Sequence, residues 1–184
     1  MKSKSVKELM VPLTEYATVS EEATLYEAVS ALEKVQKEFD QSLYPHRAVL
    51  IFNKKNKIVG KLSQLDILRA LEPKYEEMID AKPLTRFGLN PRFLKSMVAQ
   101  FDLWNKPMDD ICKKAARMEV KNFMYTPGKG EYVDEDASLD EAIHQLVMGH
   151  HQSLLVTKNK EIVGVIKLTD IFDEISQAIK TCGI

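Results

Sequence analysis

The sequence predicts an α+β fold made of two pseudo-symmetric repeats, each with the order short strand, helix, strand, strand, helix, with a helical insertion between them. Three observations lead to this prediction. Residues of the first half return in the same order in the second half, and each half carries the same helix-start signal. Each half also contains two apolar strands around a short polar turn. Because one repeat has too little core to fold alone, we expect the repeats to pack sheet against sheet.

The internal repeat gives the boundaries of the units. The first repeat spans residues 6–73, the connecting segment 74–119 and the second repeat 120–180. The spacing between matching residues falls from 114 to 104 along the repeat, so the first copy carries about ten extra residues, near 34–44. The matching residues are Val19 and Val133, Glu27-Ala28-Val29 and Glu141-Ala142-Ile143, Ile58-Val59-Gly60 and Ile162-Val163-Gly164, and Asp66-Ile67 and Asp170-Ile171.

Each predicted element has a local signal. The first helix of each repeat begins at a capping box, Thr24-x-x-Glu27 or Ser138-x-x-Glu141. In a capping box the hydroxyl accepts from an early helix N–H, and the carboxylate accepts from the N–H of the capping residue. Apolar residues then recur at helical spacing. Two apolar strands around an Asn- and Lys-rich turn follow as a hairpin, before a second helix at 65–71 or 168–179.

The connecting segment is predicted to be helical and packed on the repeats. Asn90-Pro91 is a helix start with proline at the first helical position, and Pro107 opens a second candidate helix. We expect the segment to be ordered, because its aromatic residues would otherwise form an exposed apolar patch. Those residues are Phe87, Phe93, Phe101 and Trp104.

Composition excludes several classes of protein. The 26 basic and 27 acidic residues give a net charge of −1, so neither nucleic acid nor a membrane surface is an expected partner. The chain has no run of about 18 apolar residues, and its N-terminus lacks the apolar run of a signal peptide. Cys112 and Cys182 show no CxxC spacing, and so few cysteines favour a reducing compartment. We therefore expect a cytoplasmic protein.

The repeated motifs resemble a tandem pair of cystathionine β-synthase (CBS) domains, also called a Bateman module. The resemblance rests on Met10-Val11-Pro12 and Met124-Tyr125-Thr126-Pro127 at the start of the copies, and on the longer motifs at 58–67 and 162–171. It implies a regulatory module that binds AMP, ADP, ATP or S-adenosylmethionine in clefts between the repeats. It also implies a homodimer that controls an effector protein, has no catalytic activity and requires no cofactor.

Ser63-x-x-Asp66 is the main candidate site. Ser63 lies where a strand becomes a helix, so its hydroxyl and the unpaired N–H groups at the positive end of the helix suit a phosphate. Asp66, one turn later, can accept hydrogen bonds from adjacent ribose hydroxyls. The resemblance implies the same site. The alternative is another capping box that binds no ligand.

The second copy departs from this pattern, because Lys167 occupies the hydroxyl position. Thr169 and Asp170 remain, so Asp170 can still hold a ribose and Lys167 can meet a phosphate as a point charge. Alternatively, the longer lysine side chain fills the cleft. Both alternatives stay open from the sequence.

The resemblance adds candidate contacts to phosphate just before each hairpin and to adenine around the first short strand. The phosphate candidates are His46, Arg47 and His151, and the adenine candidates are Thr14, Val19 and Val133. A histidine in such a contact would make binding sensitive to pH near neutrality. The alternatives are loop residues in water for the first group and core residues for the second. The histidines lack the i, i+4 spacing of a zinc site, so no metal is expected.

Two functions follow from these observations. The leading hypothesis is a sensor of adenosine-type ligands, and the alternative is a constitutive dimerisation or interaction module with empty clefts. An enzyme is not supported, because the sequence contains no GxSxG, P-loop or HExxH motif. For the dimer we expect contacts from apolar residues on the second helix of each copy. These residues are Ile67, Leu68, Leu71, Ile171, Phe172 and Ile175.

Overall fold

A computed structural model describes residues 4–38, 45–75 and 91–181. The strands are β1 (Val11–Pro12), β2 (Thr18–Ser20), β3 (Ala48–Phe52), β4 (Ile58–Ser63), β5 (Tyr132–Asp134), β6 (Ser153–Lys158) and β7 (Glu161–Lys167). The helices are α1 (Leu25–Glu38), α2 (Gln64–Leu71), α3 (Pro91–Gln100), α4 (Met108–Ala115), α5 (Leu139–Gly149) and α6 (Leu168–Thr181). Single 3-10 turns lie at Val6–Glu8, Leu13–Glu15, Val120–Asn122 and Lys129–Glu131.

The first helix of each repeat shows how far the local signals hold. At α1 the predicted capping box forms, since the Glu27 carboxylate accepts from the Thr24 N–H at 2.7 Å and the Thr24 hydroxyl accepts from the Glu27 N–H at 3.3 Å. At α5 the predicted box does not form, because Ser138 makes no side-chain capping bond. Helix α1 has 14 residues and α5 has 11, so part of the extra length of the first copy extends this helix. The rest of that predicted insertion, 39–44, lies outside the described residues, as do Phe87, Asn90 and Cys182.

The strands form two sheets with matching topology. In each repeat a short strand pairs in parallel with the first strand of an antiparallel hairpin, which gives β2-β3-β4 in one sheet and β5-β6-β7 in the other. Even the irregularity is repeated, since the hairpin register shifts between Ile51 and Phe52 and again between Val156 and Thr157. The predicted α+β fold of two pseudo-symmetric repeats with a helical insertion is confirmed.

The hairpin of each repeat pairs with a segment from the start of the other repeat. Strand β1, from the start of the first copy, pairs antiparallel with β7 of the second copy, with Val11 opposite Val165. In the same way, Tyr125 from the start of the second copy bonds to Lys61 on β4 through two backbone hydrogen bonds of 2.9 Å. The two halves therefore cannot be separated between 73 and 120 without opening both sheets.

The repeated Ile-Val-Gly motif is explained by these crossing segments. A Cβ atom on Gly164 would lie 2.6 Å from the carbonyl oxygen of Val11, and a Cβ atom on Gly60 would lie 2.6 Å from the sulfur of Met124. Glycine therefore lets the segment from the other repeat approach the sheet closely.

Two cores lie beneath the helices, one in each repeat, and a third joins the sheets. Val19 is buried in the first core and Val133 in the second. Each core also contains residues from the start of the other repeat, among them Val120 in the first core and Val6 in the second. Sheet-to-sheet contact comes from the third core, whose buried members are Val11, Tyr16, Leu50, Leu155 and Val165. This arrangement leaves the polar ends of β4 and β7 at the junction between the repeats.

The connecting segment forms helices where predicted, at Pro91 and directly after Pro107. Ala115 of α4 enters the first core, and Trp104 donates its backbone N–H to Glu72 and its indole N–H to Tyr75. The expectation that all its aromatic side chains are covered is wrong, since Phe93 and Phe101 stay about 40% exposed. Met97, which lies between them in the chain, is buried instead and packs against Leu103 and Trp104.

Candidate functional site

The candidate site residues lie at two strand-to-helix junctions related by the internal repeat. Ser63 ends β4 just before α2, and Lys167 ends β7 just before α6. The loop before each hairpin is fixed to its junction, because Gln64 N–H donates to the Arg47 carbonyl at 3.1 Å and Leu168 N–H donates to the Gln152 carbonyl at 3.0 Å. We call the surroundings of Ser63 and Asp66 the first cleft, and those of Lys167 and Asp170 the second cleft.

In the first cleft, Ser63 and Asp66 form a closed capping box. The Asp66 Oδ2 atom accepts from the Ser63 backbone N–H at 2.8 Å and from its hydroxyl at 2.6 Å. The Ser63 oxygen in turn accepts from the Asp66 N–H at 3.2 Å. The second carboxylate oxygen, Oδ1, has a long 3.4 Å contact with Arg69, whose side chain is 43% exposed. Oδ2 is thus committed to the helix start, while Oδ1 can accept from another donor.

The wall of the first cleft carries a buried charge network that the sequence analysis did not predict. Lys61, two residues before Ser63 on the same face of β4, forms an ion pair with Glu131 of the second repeat. Glu131 also accepts from the Tyr125 hydroxyl at 2.6 Å and from the Gly128 N–H at 3.0 Å. Lys61 lies over the Tyr125 ring, 5.2 Å from its centroid. The network therefore holds the turn before β5 against β4.

The electrostatics of this network favour the charged carboxylate. Burial raises the pKa of Glu131, but hydrogen bonds from Lys61 and Tyr125 outweigh it, and the pKa lies below its ordinary value. The hydrogen bond to Glu131 raises the pKa of Tyr125, so the phenol remains a donor. A signal was present in the sequence, because the second copy has Val165 where the first has Lys61, and the first has Ala17 where the second has Glu131.

In the second cleft, Lys167 is turned inward. Its ammonium lies 3.3 Å from Asp170 Oδ1, and the two side chains are 7% and 14% exposed. Burial raises the pKa of Asp170 in spite of the nearby Lys167. The other oxygen, Oδ2, is buried and has no hydrogen-bond partner among the described residues. Of the two alternatives left open by the sequence, this geometry favours a lysine that occupies the cleft.

His46 is a buried residue rather than a loop residue in water. Its ring is fully buried and packs edge-on against Tyr16, with centroids 4.4 Å apart, and its carbonyl accepts from Gln36 at 2.6 Å. Burial, with a smaller effect of Lys167, lowers the pKa of His46 to about 4. Protonation of His46 near neutrality is therefore not expected, which argues against a sensitivity of binding to pH through this residue.

The remaining predicted residues are dispersed. Arg47 and Thr169 line a small cavity beside Lys167. His151 is half-buried, with its ring against the backbone of Gly149 at the end of α5. Thr14 is exposed on the turn between β1 and β2, and that turn packs against β7 of the second repeat. Val19 and Val133 lie in the cores described above.

A model of the CBS domain family matches residues 6–73 and 120–177, more than half of the chain. The chain belongs to the CBS domain family. The two matched ranges coincide with the two repeats, so the chain carries a tandem pair of CBS domains. No curated protein matches the chain.

Solved structures of other CBS proteins share the fold at low sequence identity. Protein MJ1004 from Methanocaldococcus jannaschii is 15% identical with a TM-score of 0.58, and the match covers 95% of this chain but 60% of that chain. CBSX2 in complex with AMP is 15% identical with a TM-score of 0.58, over 96% of this chain and 99% of that chain. The CBS domain of the bacterial CNNM/CorC family Mg²⁺ transporter in complex with ATP is 15% identical with a TM-score of 0.59, over 95% and 89%. At this identity the likeness concerns the fold.

The structure also bears on two other classes of site. No helix among residues 4–38, 45–75 and 91–181 has the length and apolar character needed to cross a membrane. Within the same ranges, no group of three or more histidine, cysteine or acidic side chains is arranged to hold a metal ion.

Proposed function

We propose that this CBS pair is a regulatory module that binds an adenosine-type ligand in the first cleft and so controls an effector protein. The ligand class comprises AMP, ADP, ATP and S-adenosylmethionine. The observation that carries the proposal is the Ser63–Asp66 pair at the start of α2, two residues after Lys61, whose ammonium pairs with Glu131 of the second repeat. Support also comes from CBSX2 and the Mg²⁺ transporter domain, which have the same fold and whose solved structures are complexes with AMP and ATP, respectively.

Each residue of the first cleft has a role in this proposal. Asp66 Oδ1 accepts from a ribose hydroxyl, since Oδ2 is held by the capping box. The Ser63 hydroxyl and the first N–H groups of α2 face the phosphate, where the helix dipole adds partial positive charge. The network of Lys61, Glu131 and Tyr125 fixes the opposite wall before the ligand arrives.

The second cleft is assigned a smaller part in nucleotide binding. Its cavity of about 50 Å³ is far below the roughly 300–1,000 Å³ of typical ligand pockets. The ammonium of Lys167 and the carboxylate of Asp170 also partly neutralise each other's charge. Arg47, which the sequence assigns to the phosphate of AMP, lines this cavity, so we assign its side chain to the second cleft.

The alternative function is a constitutive dimerisation or interaction module. One observation favours it. The Ser63 backbone N–H and hydroxyl already have hydrogen-bond partners within the Ser63–Asp66 box, so they need no ligand. Under this alternative the network around Glu131 serves only to join the repeats.

A homodimer is part of the proposal, with a corrected contact surface. Of the six apolar residues expected there, Ile171 is buried in the second core, and Ile67, Leu71 and Ile175 pack against the cores of their own repeats. The outward side of α2 and α6 is apolar nevertheless. Its exposed residues are Leu65, Leu68, Leu168 and Phe172.

We also propose a reducing compartment, since Cys112 is an exposed free thiol.

The test is isothermal titration of AMP and adenosine into the wild type, Asp66→Ala and Glu27→Ala. Glu27→Ala is the matched control, because it removes an equivalent capping box from α1, away from the clefts. We expect the wild type and Glu27→Ala to bind both ligands alike. Asp66→Ala should bind both about ten- to a hundredfold more weakly, since it loses charge-assisted hydrogen bonds to ribose. No binding of either ligand to the wild type would support the alternative function, and equal binding by all three proteins would contradict the assignment of the ribose to Asp66.

A further inference from the structure

A cavity of about 400 Å³ lies between α2 and the connecting segment, at the end of α2 opposite to the Ser63–Asp66 box. Its volume falls in the roughly 300–1,000 Å³ range of typical small-molecule sites. The first match of the family model ends at residue 73, and the lining continues with Lys74 and with residues between 105 and 118, which that model does not match. The cavity is therefore distinct from both clefts.

One wall of the cavity is apolar and comes from two packed helices. Helix α2 contributes Ala70 and Leu71, and α4, which packs against α2, contributes Ile111 and Ala115. Ile111 and Ala115 are four residues apart, so they share one face of α4. Met118, just after α4, completes this wall. Such a wall suits an aliphatic or aromatic group of a ligand.

A hydrogen bond brings polar residues together at the end of α2. The Trp104 backbone N–H donates to Glu72 Oε2 at 2.8 Å, so Asn105 and Lys106, the next two residues of the chain, lie close to Glu72. Glu72, Asn105 and Lys106 all line the cavity. An acidic and a basic side chain are thus near each other beside the apolar wall.

The carboxylate of Glu72 is buried without a cationic partner. The residue is 7% exposed, and it forms no ion pair within residues 4–38, 45–75 and 91–181. The hydrogen bond from Trp104 engages one of its two oxygens. Buried charges are usually paired, because removing a charge from water without a partner is unfavourable. Since Glu72 lines the cavity, the ammonium group of a bound molecule can supply this partner.

The other charges of the lining favour a carboxylate on the same molecule. Lys106 is exposed and forms no ion pair in the part of the chain that the structure describes, so its ammonium is available. The ammonium of Lys74 donates to two backbone carbonyls of the connecting segment, at 3.0 and 2.8 Å. Asp110 and Lys114 lie one turn apart on α4, so their opposite charges offset each other. Glu72 and Lys106 remain as a pair of opposite charges that matches an ammonium and a carboxylate.

We propose that the cavity between α2 and α4 binds a free α-amino acid with an apolar side chain. The ammonium of the ligand pairs with Glu72 and its carboxylate with Lys106, while its side chain packs against Leu71, Ile111 and Met118. The site does not depend on the adenosine-type ligand proposed above. Because the first cleft lies at the start of α2 and the cavity at its end, an amino acid bound here contacts the helix that holds Asp66.

The test is isothermal titration of L-leucine and of L-phenylalanine into the full chain. The variants are Glu72→Gln and Ile111→Trp, and the control is Lys113→Met, at an exposed position of α4 that does not line the cavity. We expect at least one of the two amino acids to bind at a single saturable site in the wild type and in the control. Glu72→Gln should lose at least about tenfold in affinity, because it removes the charged partner of the ammonium. Ile111→Trp should lose at least as much, since the larger side chain fills the cavity.

Two further ligands test the two ends of the amino acid separately. Glycine lacks the apolar side chain, and N-acetyl-L-leucine lacks the ammonium group. We expect both to bind the wild type at least about tenfold more weakly than the better of the two amino acids. Equally tight binding of N-acetyl-L-leucine would contradict the role of Glu72, and equally tight binding of glycine would contradict the role of the apolar wall.

Other outcomes would overturn the proposal as a whole. These are no saturable binding of either amino acid to the wild type, or equal binding by the wild type and Ile111→Trp. The second comparison decides the matter even where Glu72→Gln fails to fold. Displacement of the bound amino acid by AMP would place it in an adenosine cleft and also count against this cavity. Failure of AMP to bind at all, with the amino acid bound normally, would contradict only the proposed function.

Discussion

The buried carboxylate of Glu131 joins the two repeats at the wall of the first cleft. It is 3% exposed and accepts hydrogen bonds from Lys61, Tyr125 and the Gly128 N–H. Removing one member of a buried pair leaves the other charge without compensation, which usually costs about 3–5 kcal/mol. The position of the cleft wall therefore depends on a charge interaction between repeats.

We predict that Glu131→Gln lowers the free energy of unfolding by about 3 kcal/mol. The matched control is Glu161→Gln, which breaks an exposed pair with Lys57 that also joins the two repeats, at 3.4 Å. Exposed pairs contribute about 0–1 kcal/mol, so the control should lose less than about 1 kcal/mol. Urea denaturation of both variants measures the difference, and equal losses would show that the Glu131 network is not a main contact between the repeats.

His46 makes the free energy of unfolding depend on pH in the acidic range. Its pKa is lowered from 6.5 to about 4 in the folded chain, so the unfolded chain binds the proton more readily between these values. Stability from this residue is complete above about pH 6.5 and is lost as the pH falls towards 4. At pH 5 the loss is about 2 kcal/mol.

His46→Gln should remove this contribution. We expect the decrease in unfolding free energy between pH 7 and pH 5 to be about 2 kcal/mol smaller in the variant than in the wild type. His144→Gln, at an exposed position of α5, is the control and should follow the wild type. The measurement is chemical denaturation at the two pH values, and an unchanged pH dependence in His46→Gln would contradict the assignment.

At the scale of the elements, each hairpin needs a glycine where the segment from the other repeat lies close to it. A Cβ atom on Gly164 meets backbone, the Val11 carbonyl at 2.6 Å, whereas one on Gly60 meets mainly the flexible side chain of Met124. We predict that Gly164→Ala costs about 1–3 kcal/mol and that Gly60→Ala costs less. Gly130→Ala, which meets nothing within 4 Å, should change the unfolding free energy by less than about 0.5 kcal/mol. Comparable losses at Gly164 and Gly130 would contradict this account.

The elements themselves were predictable because their signals are local. Local signals act within a few residues; examples are the Thr24–Glu27 box, the polar turns of the hairpins and the prolines at 91 and 107. The internal repeat shows the same order of elements in both halves of the sequence. The exchange of starting segments was not predicted, because the partner of Val11 is a strand 154 residues away in the chain. The Lys61–Glu131 pair was missed for the same reason. A capping box formed by Ser63 and Asp66 was among the alternatives, since that motif is also local.

At the scale of the whole molecule, the pseudo-symmetry places exposed apolar residues on the outward side of both α2 and α6. Leu68 and Phe172 are 57% and 61% exposed, and they lie on the second helix of each repeat. Uncovered apolar residues at equivalent positions of two helices favour association with a second copy.

We predict a homodimer with a mass of about 42 kDa, twice the 21.0 kDa of the chain, by light scattering at micromolar concentration. The double variant Leu68→Glu with Phe172→Glu should be a monomer, because charges at these positions would have to be desolvated in the dimer. Met148→Glu, at a site on α5 that is 68% exposed, is the control and should stay dimeric. A wild-type mass near 21 kDa would refute the prediction.

The central claim is that the first cleft holds an adenosine-type ligand through Asp66. The most direct measurement is a crystal structure of the wild-type chain grown with millimolar AMP. We predict one AMP per chain, with a ribose hydroxyl within hydrogen-bond distance of Asp66 Oδ1, the Ser63–Asp66 box intact and the Lys167–Asp170 pair undisturbed. AMP seated beside Lys167 and Asp170 instead, or a first cleft without AMP at that concentration, would contradict the claim.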